Sequence, residues 1–182
     1  MPDLMSENGT TMQNLSTSSN YSFSAVGLDD LGASEYTLAT IVVDISASVT
    51  NWRKELENCL SVIAESCKDS PRSENLLVRV LTFNNNVQEL HGFKLLEDIS
   101  PDDYNSQLQT GGCTSLFDAV CNAVEVTKDY SKILVDQGDM SVNAIVYVLT
   151  DGQDNNSTNS ATSVKKLVSS VNQEEILDDT FK

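Results

Sequence analysis

The sequence predicts an α/β fold built on a doubly wound, mostly parallel β-sheet. The first observation behind this prediction is the order of the elements. Apolar runs of strand length alternate with segments of helical apolar spacing, in the order β-α-β-β-α-β-α. The second is that most of these runs carry little or no charge, which is typical of strands covered by helices on both faces. At 182 residues the chain is long enough for one such domain with its own hydrophobic core.

The first 34 residues differ in composition from the rest of the chain. Residues 10–24 are dense in Ser, Thr and Asn and contain few periodically spaced apolar side chains. Such a segment buries too little apolar surface to offset the entropy lost on ordering. We therefore expect residues 1–34 to form a flexible arm, which orders on a partner or along a sheet edge. Residues 35–182 are expected to form the domain.

The domain is expected to open with a strand followed by a helix. Residues 36–43 are rich in β-branched side chains and end at Asp44. Residues 50–67 then have helical spacing, and Ser48 or Thr50 can cap the first turn. The apolar face of this predicted helix consists of Trp52, Leu56, Cys59, Leu60, Ile63, Ala64 and Cys67.

The next two strands are expected to form a hairpin. Residues 76–83 have Arg79 as their only charge, so this strand is predicted to lie in the centre of the sheet. The three asparagines at 84–86 predict a turn, because Asn tolerates left-handed backbone geometry. Residues 87–96 are of mixed polarity, which suits an antiparallel strand at a sheet edge.

The last part of the chain repeats the strand and helix pattern. A loop with two glycines at 110–115 leads into a helix over 116–134, and a strand at 143–150 ends at Asp151. A final amphipathic helix is predicted around 164–171. In an open sheet of this Rossmann-like kind, ligands bind beyond the carboxyl ends of the strands. We therefore expect the functional site at that end.

Oxygen-bearing side chains are concentrated at that end of the predicted sheet. Asp44, Ser46 and Ser48 alternate along the chain where the first strand gives way to a helix. Thr114 lies at the start of the second helix, and Asp151 follows the last strand. Carboxylate and hydroxyl oxygens suit a hard cation such as Mg²⁺ better than a soft metal. The alternative is that these residues only cap helices and form turns.

This set of residues resembles the von Willebrand factor A (VWA) domain and its metal-ion-dependent adhesion site (MIDAS). The family pattern is Asp-x-Ser-x-Ser, then a Thr after a glycine-rich loop, then an Asp after a later strand. Asp44, Ser46 and Ser48 match the first part, Thr114 the second and Asp151 the third. The resemblance covers residues 37 to about 171.

The resemblance implies a Mg²⁺ (or Mn²⁺) ion held by the three hydroxyls, with the two aspartates balancing its charge directly or through water. It further implies a protein partner that offers an acidic side chain to the ion. Intracellular members of the family often act with AAA+ ATPases or in multi-protein assemblies, so partners of these kinds are expected.

Two departures from the family pattern stand out. Cys113 separates the glycine pair from Thr114, where many members have Thr directly after the glycines. The chain also ends at Lys182, after the helix that follows the predicted strand at 143–150. The family usually continues with further strands, so we expect a VWA-like domain that lacks its last strand or strands.

Other classes of function find less support. A phosphatase-like hydrolase of the haloacid dehalogenase type needs a second carboxylate two residues after Asp44, where Ser46 stands. The single histidine, His91, is not placed as a general base, and no phosphate-binding Walker loop is present. We therefore predict a binding protein and not an enzyme. A structural component of a larger assembly, with a vestigial or purely stabilising metal site, stays the alternative.

Charge and composition further limit the classes of partner that the sequence predicts. Lys and Arg number 11 against 27 Asp and Glu, so the formal net charge is −16. Such a charge disfavours binding to nucleic acid or to an anionic membrane. No long apolar run and no signal peptide are apparent. Cys59, Cys67, Cys113 and Cys121 lack zinc-site spacing and are expected to be buried, reduced thiols of a cytoplasmic protein.

Overall fold

The structure, a computed structural model, describes residues 4–5, 10–18 and 21–180. Within these ranges, three α-helices and seven β-strands form a mixed α/β domain. The strands are β1 Leu4–Met5, β2 Thr11–Ser16, β3 Ser22–Val26, β4 Glu35–Asp44, β5 Leu76–Phe83, β6 Val87–Leu95 and β7 Ser141–Leu149. The helices are α1 Arg53–Lys68, α2 Leu116–Gly138 and α3 Ala161–Thr180.

The strands form one sheet in the order β1-β2-β3-β6-β5-β4-β7. β4 lies between β5 and β7 and is parallel to both, whereas β5 and β6 are antiparallel. The four strands of the predicted domain therefore have the predicted arrangement, with one antiparallel strand. The carboxyl ends of β4, β5 and β7 lie at the same end of the sheet.

Helices cover both faces of the centre of this sheet. On one face Leu60 and Ala64 of α1 pack in a cluster with Ile41, Val43 and Val80. On the other face Ala119 and Ala123 of α2 pack against Val42, Leu81 and Phe83. Adjacent side chains of β4 thus point to opposite helical layers, which is why this strand is apolar throughout.

The segment expected to be a flexible arm adds strands to one side of the sheet. The expected flexibility is therefore wrong for β2 and β3, whereas the alternative of ordering along a sheet edge agrees with the structure. β2 and β3 form an antiparallel hairpin, and Ala25 of β3 pairs in parallel with Phe93 of β6. Met12, Phe23 and Ala25 are buried in the core. The physical reason is that Phe23 and Ala25 alternate with serines along β3, so that together with Met12 they bury one face of the hairpin. Residues 1–3, 6–9 and 19–20 lie outside the described part of the chain.

β6 is consequently an interior strand rather than the edge strand that its mixed polarity suggested. Gly92 allows the close approach of β3, because a Cβ atom at this position would lie 1.9 Å from the carbonyl oxygen of Ser24. The polar side chain of Glu89 in β6 binds residues of both neighbouring strands. Its Oε1 accepts hydrogen bonds from the Ser24 amide (2.9 Å) and hydroxyl (2.6 Å), and its Oε2 pairs with buried Arg79 (2.7 Å).

The first helix begins later than its apolar spacing predicted. A 3₁₀ turn spans Ala47–Trp52, and α1 begins at Arg53. Trp52 belongs to this turn and is 55% exposed, so it is not part of the buried helix face. The extra turn keeps the chain close to the carboxyl end of β4 for six residues.

β7 forms the end of the sheet within the described ranges, and it is more exposed than its apolar sequence predicted. Ile145, Tyr147 and Val148 are all exposed, because no described strand pairs with the outer edge of β7 and α3 packs along α2 instead. None of the helices in the described part of the chain is long and apolar enough to cross a membrane.

Candidate metal site

The five residues predicted to form a metal site are distributed over three chain segments at one end of the sheet. Asp44 is the last residue of β4, Thr114 lies two residues before α2, and Asp151 lies two residues after β7. Asp44, Ser46 and Thr114 are buried, whereas Ser48 and Asp151 are exposed. The set therefore combines a buried interior with a side that is open to solvent.

Asp44 is held by two hydrogen bonds and has no positive partner in the described part of the chain. One carboxylate oxygen accepts a hydrogen bond from the amide of Ser46 (2.8 Å), and the other accepts one from the Thr150 hydroxyl (2.8 Å). The residue is fully buried, yet no Lys or Arg of the described residues forms an ion pair with it. A buried carboxylate without a countercharge is costly. A cation at this position would compensate that charge.

The hydroxyl groups of the first motif point to each other. Ser46 Oγ lies 3.0 Å from Ser48 Oγ, and neither side chain caps the 3₁₀ turn. The side-chain hydrogen bond within this turn comes from Thr50 instead, whose hydroxyl donates to the carbonyl of Ala47 (2.9 Å). The interpretation that Ser46 and Ser48 only cap a helix is therefore not supported by their hydrogen bonds.

Backbone hydrogen bonds bring the glycine loop against this motif. The amide of Gly111 donates to the carbonyl of Ile45 (2.7 Å), and the amide of Ala47 donates to the carbonyl of Gly112 (3.1 Å). Gly112 has a φ of 84°, and a Cβ atom there would lie 2.1 Å from Asn85 Oδ1. Both the backbone conformation and the contact require glycine at this position.

The asparagine turn between β5 and β6 holds the same loop from the other side. The Asn84 side chain donates to the Gly111 carbonyl (3.0 Å), and Asn85 Oδ1 accepts from the Cys113 amide (2.7 Å). The Ser115 amide donates to the Asn84 carbonyl (2.8 Å). This role was not predicted; the run of three asparagines was the available signal, and it was interpreted only as a turn.

Thr114 is positioned by the loop that follows β7. Its amide donates to Asn155 Oδ1 (2.8 Å), and its carbonyl accepts from the amides of Asn155 (3.0 Å) and Asn156 (3.2 Å). The Thr114 hydroxyl has no hydrogen-bond partner among the described residues, and α2 has no side-chain cap at Ser115. The hydroxyl therefore has no structural role that would compete with metal ligation. Asn155 and Asn156 were not singled out in the sequence.

Asp118 anchors the rest of this loop to the start of α2. Its carboxylate accepts hydrogen bonds from the amides of Thr158 (2.9 Å) and Asn159 (2.7 Å), while its own amide donates to Ser157 Oγ (3.1 Å). Although partial burial works in the opposite direction, these hydrogen bonds lower the pKa of Asp118. The loop is thus tied to α2 at both Thr114 and Asp118.

Asp151 completes the set from the end of β7. The register pairs Val43 with Leu149, so the chain after β7 leaves the sheet beside the residues after β4. Gly152 turns the chain with a φ of 106°, and its amide donates to the Thr150 hydroxyl (3.0 Å). The Asp151 carboxylate is exposed and has no hydrogen-bond partner among the residues described.

The chemistry of this set fits a small, hard cation. It offers two carboxylates and three hydroxyls, all of them oxygen donors, and the donors lie on elements that are cross-linked by hydrogen bonds. Within the described ranges, no group of three or more His, Cys, Asp or Glu residues could hold a metal. The four cysteines are free thiols, but only Cys121 is buried as expected; Cys59 and Cys67 are half-buried and Cys113 is exposed.

His91 takes part in a separate, structural set of hydrogen bonds. Its Nδ1 lies 2.9 Å from the carbonyl of Gly92 and its Nε2 lies 3.0 Å from the Tyr104 hydroxyl. The neutral ring satisfies both contacts, with Nδ1 donating and Nε2 accepting. Burial lowers the pKa of His91 to about 4. The side chain therefore has a packing role between β6 and the turn at Pro101–Tyr104.

Comparison with known proteins supports the fold. No protein-family model and no curated protein matches the chain by sequence. Proximal thread matrix protein 1 from the mussel byssus is similar in structure, with a TM-score of 0.52 and 19% identity over 75% of this chain and 34% of its own. A von Willebrand factor type A protein from Catenulispora acidiphila gives 0.51 and 13%, over 82% and 32%. The PilB minor pilin from Streptococcus sanguinis gives 0.50 and 12%, over 83% and 45%.

These similarities define the class of fold. The chain has a VWA-like fold, in which a mixed α/β domain is built around a largely parallel central sheet. At such low identity the likeness concerns the fold alone. The chain spans between about a third and just under half of the length of these three structures.

Proposed function

We propose that this chain is a metal-dependent protein-binding module. Asp44, Ser46, Ser48, Thr114 and Asp151 hold a Mg²⁺ (or Mn²⁺) ion, and an acidic side chain of a protein partner completes its coordination. The observation that carries the proposal is the buried Asp44 carboxylate, which has no positive partner among the described residues. The hydroxyls of Ser46 and Ser48 follow it in the chain, and within the described part of the chain they hydrogen-bond only to each other. The VWA-like fold is consistent with a role in protein interaction.

Binding, and not catalysis, is the function that the donor set supports. Three neutral hydroxyls neutralise less of the charge of a divalent cation than carboxylates would, so the ion keeps a strong attraction for an external carboxylate. Ser48 and Asp151 are exposed, which supports an open coordination position on the solvent side of the proposed ion. A partner carboxylate can therefore reach the ion without a change in the fold.

Thermal unfolding with and without metal tests the proposal. Mg²⁺ at a large excess over its dissociation constant should stabilise the chain by about 3 kcal/mol, because it binds only the folded state. Asp44→Asn should abolish this stabilisation, since it removes the buried charge while keeping the shape of the side chain. Asp136→Asn, a change at an exposed position on α2, serves as the matched control and should keep it. A wild-type chain whose unfolding ignores Mg²⁺ and Mn²⁺ would refute the proposal.

A second candidate is a structural component of a larger assembly, in which the metal site only stabilises the fold. The exposed apolar strand β7 favours this candidate, because an unpaired strand edge is a surface for association. Affinity capture of partners in Mg²⁺ and in EDTA separates the two candidates. Metal-bridged partners are lost in EDTA, whereas partners that associate through β7 are retained.

A further inference from the structure

A cleft of about 350 Å³ lies beside the proposed metal site. It is lined by Thr50, Asn51, Arg53, Lys54, Glu55 and Thr110. Thr110 directly precedes Gly111, whose amide binds the carbonyl of Ile45, and the Thr50 hydroxyl binds the carbonyl of Ala47. The cleft is therefore formed by the 3₁₀ turn that follows the first motif, the first turn of α1 and the loop that carries the glycine pair.

The charge of this cleft is opposite to that of the whole chain. Arg53 and Lys54 are exposed, and neither forms an ion pair within the described part of the chain. Glu55 is the single acidic residue in the lining. The chain as a whole has a net charge of −16. Arg53 and Lys54 at the rim of this cleft therefore form a small positively charged patch on an acidic protein. Such a patch attracts an acidic ligand and orients its approach.

An exposed aromatic residue directly precedes the two cations in the chain. Trp52 directly precedes Arg53 and is 55% exposed at the end of the 3₁₀ turn. Tryptophan and arginine are the residue types that most often dominate the energy of protein interfaces. Arginine can also bind a carboxylate through two parallel hydrogen bonds. The charge of Arg53 and Lys54 therefore suits this cleft to an acidic peptide, and Trp52 is an exposed reporter next to them in the chain.

We propose that this cleft binds a second acidic residue of the same partner segment whose first acidic residue reaches the metal site. The inference rests on the proposed function and names the partner more closely, as a protein segment with two acidic residues close in sequence. Arg53 and Lys54 select such segments over those with one acidic residue.

Synthetic peptides test the inference. One peptide carries a single Asp among glycines, and a series carries two Asp residues separated by increasing numbers of glycines. Binding in Mg²⁺ is followed by the emission of Trp52, the only tryptophan of the chain. At the best spacing the second Asp should raise affinity about fivefold, as expected of favourable exposed ion pairs. This gain should decrease with added salt.

Two double variants identify the residues responsible. R53Q/K54Q should lose the gain while it binds the single-Asp peptide as before. K165Q/K166Q removes the same charge from exposed positions on α3 and should keep the gain. The absence of a gain at every spacing, or a gain that survives in R53Q/K54Q, would overturn the inference.

The same titrations separate this inference from the proposed function. The single-Asp peptide reports the metal site alone, and its binding should vanish in EDTA. If it fails to bind in Mg²⁺, the proposed function fails. Two-Asp peptides that still bind in EDTA, and lose binding in R53Q/K54Q, would then support the cleft as an acidic-peptide site by itself. If no peptide binds under any condition, both proposals are overturned.

Discussion

The Thr150 hydroxyl donates a 2.8 Å hydrogen bond to Asp44 Oδ2, although 106 positions separate the two residues in the chain. Thr150 also accepts a hydrogen bond from the amide of Gly152 (3.0 Å), so one hydroxyl connects the end of β4 to the turn after β7. The same side chain thereby holds the Asp44 carboxylate and the backbone turn that carries Asp151. Residues that orient metal ligands in this way tune the affinity of the site.

Thr150→Val should weaken Mn²⁺ binding about 10- to 100-fold, because Asp44 loses the partner that orients it. Thr150→Ser restores the hydroxyl and should restore affinity. Binding can be measured from the electron paramagnetic resonance signal of free Mn²⁺. Thr162→Val on α3 makes the same chemical change at an exposed position and should leave affinity unchanged. Equal affinity for Thr150→Val and the wild type would remove Thr150 from the proposed site.

Asn155→Ala should also weaken Mn²⁺ binding, again by about 10-fold or more, because the amide of Thr114 loses its acceptor. Asn155→Asp keeps an acceptor oxygen at this position and should bind more tightly than Asn155→Ala. Asn143→Ala is the control, since Asn143 lies in exposed β7 and makes only a long side-chain contact to Glu35. If Asn155→Ala and Asn155→Asp bind equally, the acceptor at this position does not matter.

Gly92→Ala should destabilise the fold by about 1–3 kcal/mol, the usual cost of forcing an extra group into a packed region. The added Cβ would collide with the backbone of Ser24, so β3 would have to move away from β6. Urea unfolding measures the loss, and hydrogen exchange should show faster exchange over residues 22–26. Gly32→Ala has open space around its Cβ position and should be nearly neutral.

His91 should make the stability of the chain fall between about pH 6.5 and pH 4. Burial keeps the ring neutral in the folded state down to about pH 4, whereas in the unfolded chain it is protonated below its ordinary pKa of 6.5. The unfolded state therefore binds more protons in this range, and the free energy of unfolding decreases as pH falls. His91→Gln should lose this contribution, so the difference between wild type and variant should depend on pH in this window. A constant difference from pH 7 to pH 4 would contradict the prediction.

The predicted elements of the domain agree with the structure where the sequence pattern is local. β5 has the predicted bounds, and β4 ends at Asp44 as expected. The predictions that failed concerned positions that depend on which other strands and helices pack against a strand. The edge position of the strand at 87–95 was inferred from its polarity, but Glu89 is polar because it binds Ser24 and Arg79 inside the sheet. The buried position of β7 was inferred from its apolar residues, but the composition of a strand does not determine which helices or strands pack against it.

The sequence by itself determined the order of strands and helices from β4 onwards, the end of the sheet at which the site is proposed, and the five oxygen-bearing residues proposed to bind metal. These follow from spacing and residue type, which act over a few positions of the chain. Only the tertiary structure decided what holds those residues in place. Asn85, Asn155 and Thr150 fix the site through hydrogen bonds between segments far apart in the chain, and such contacts form only after the strands have paired.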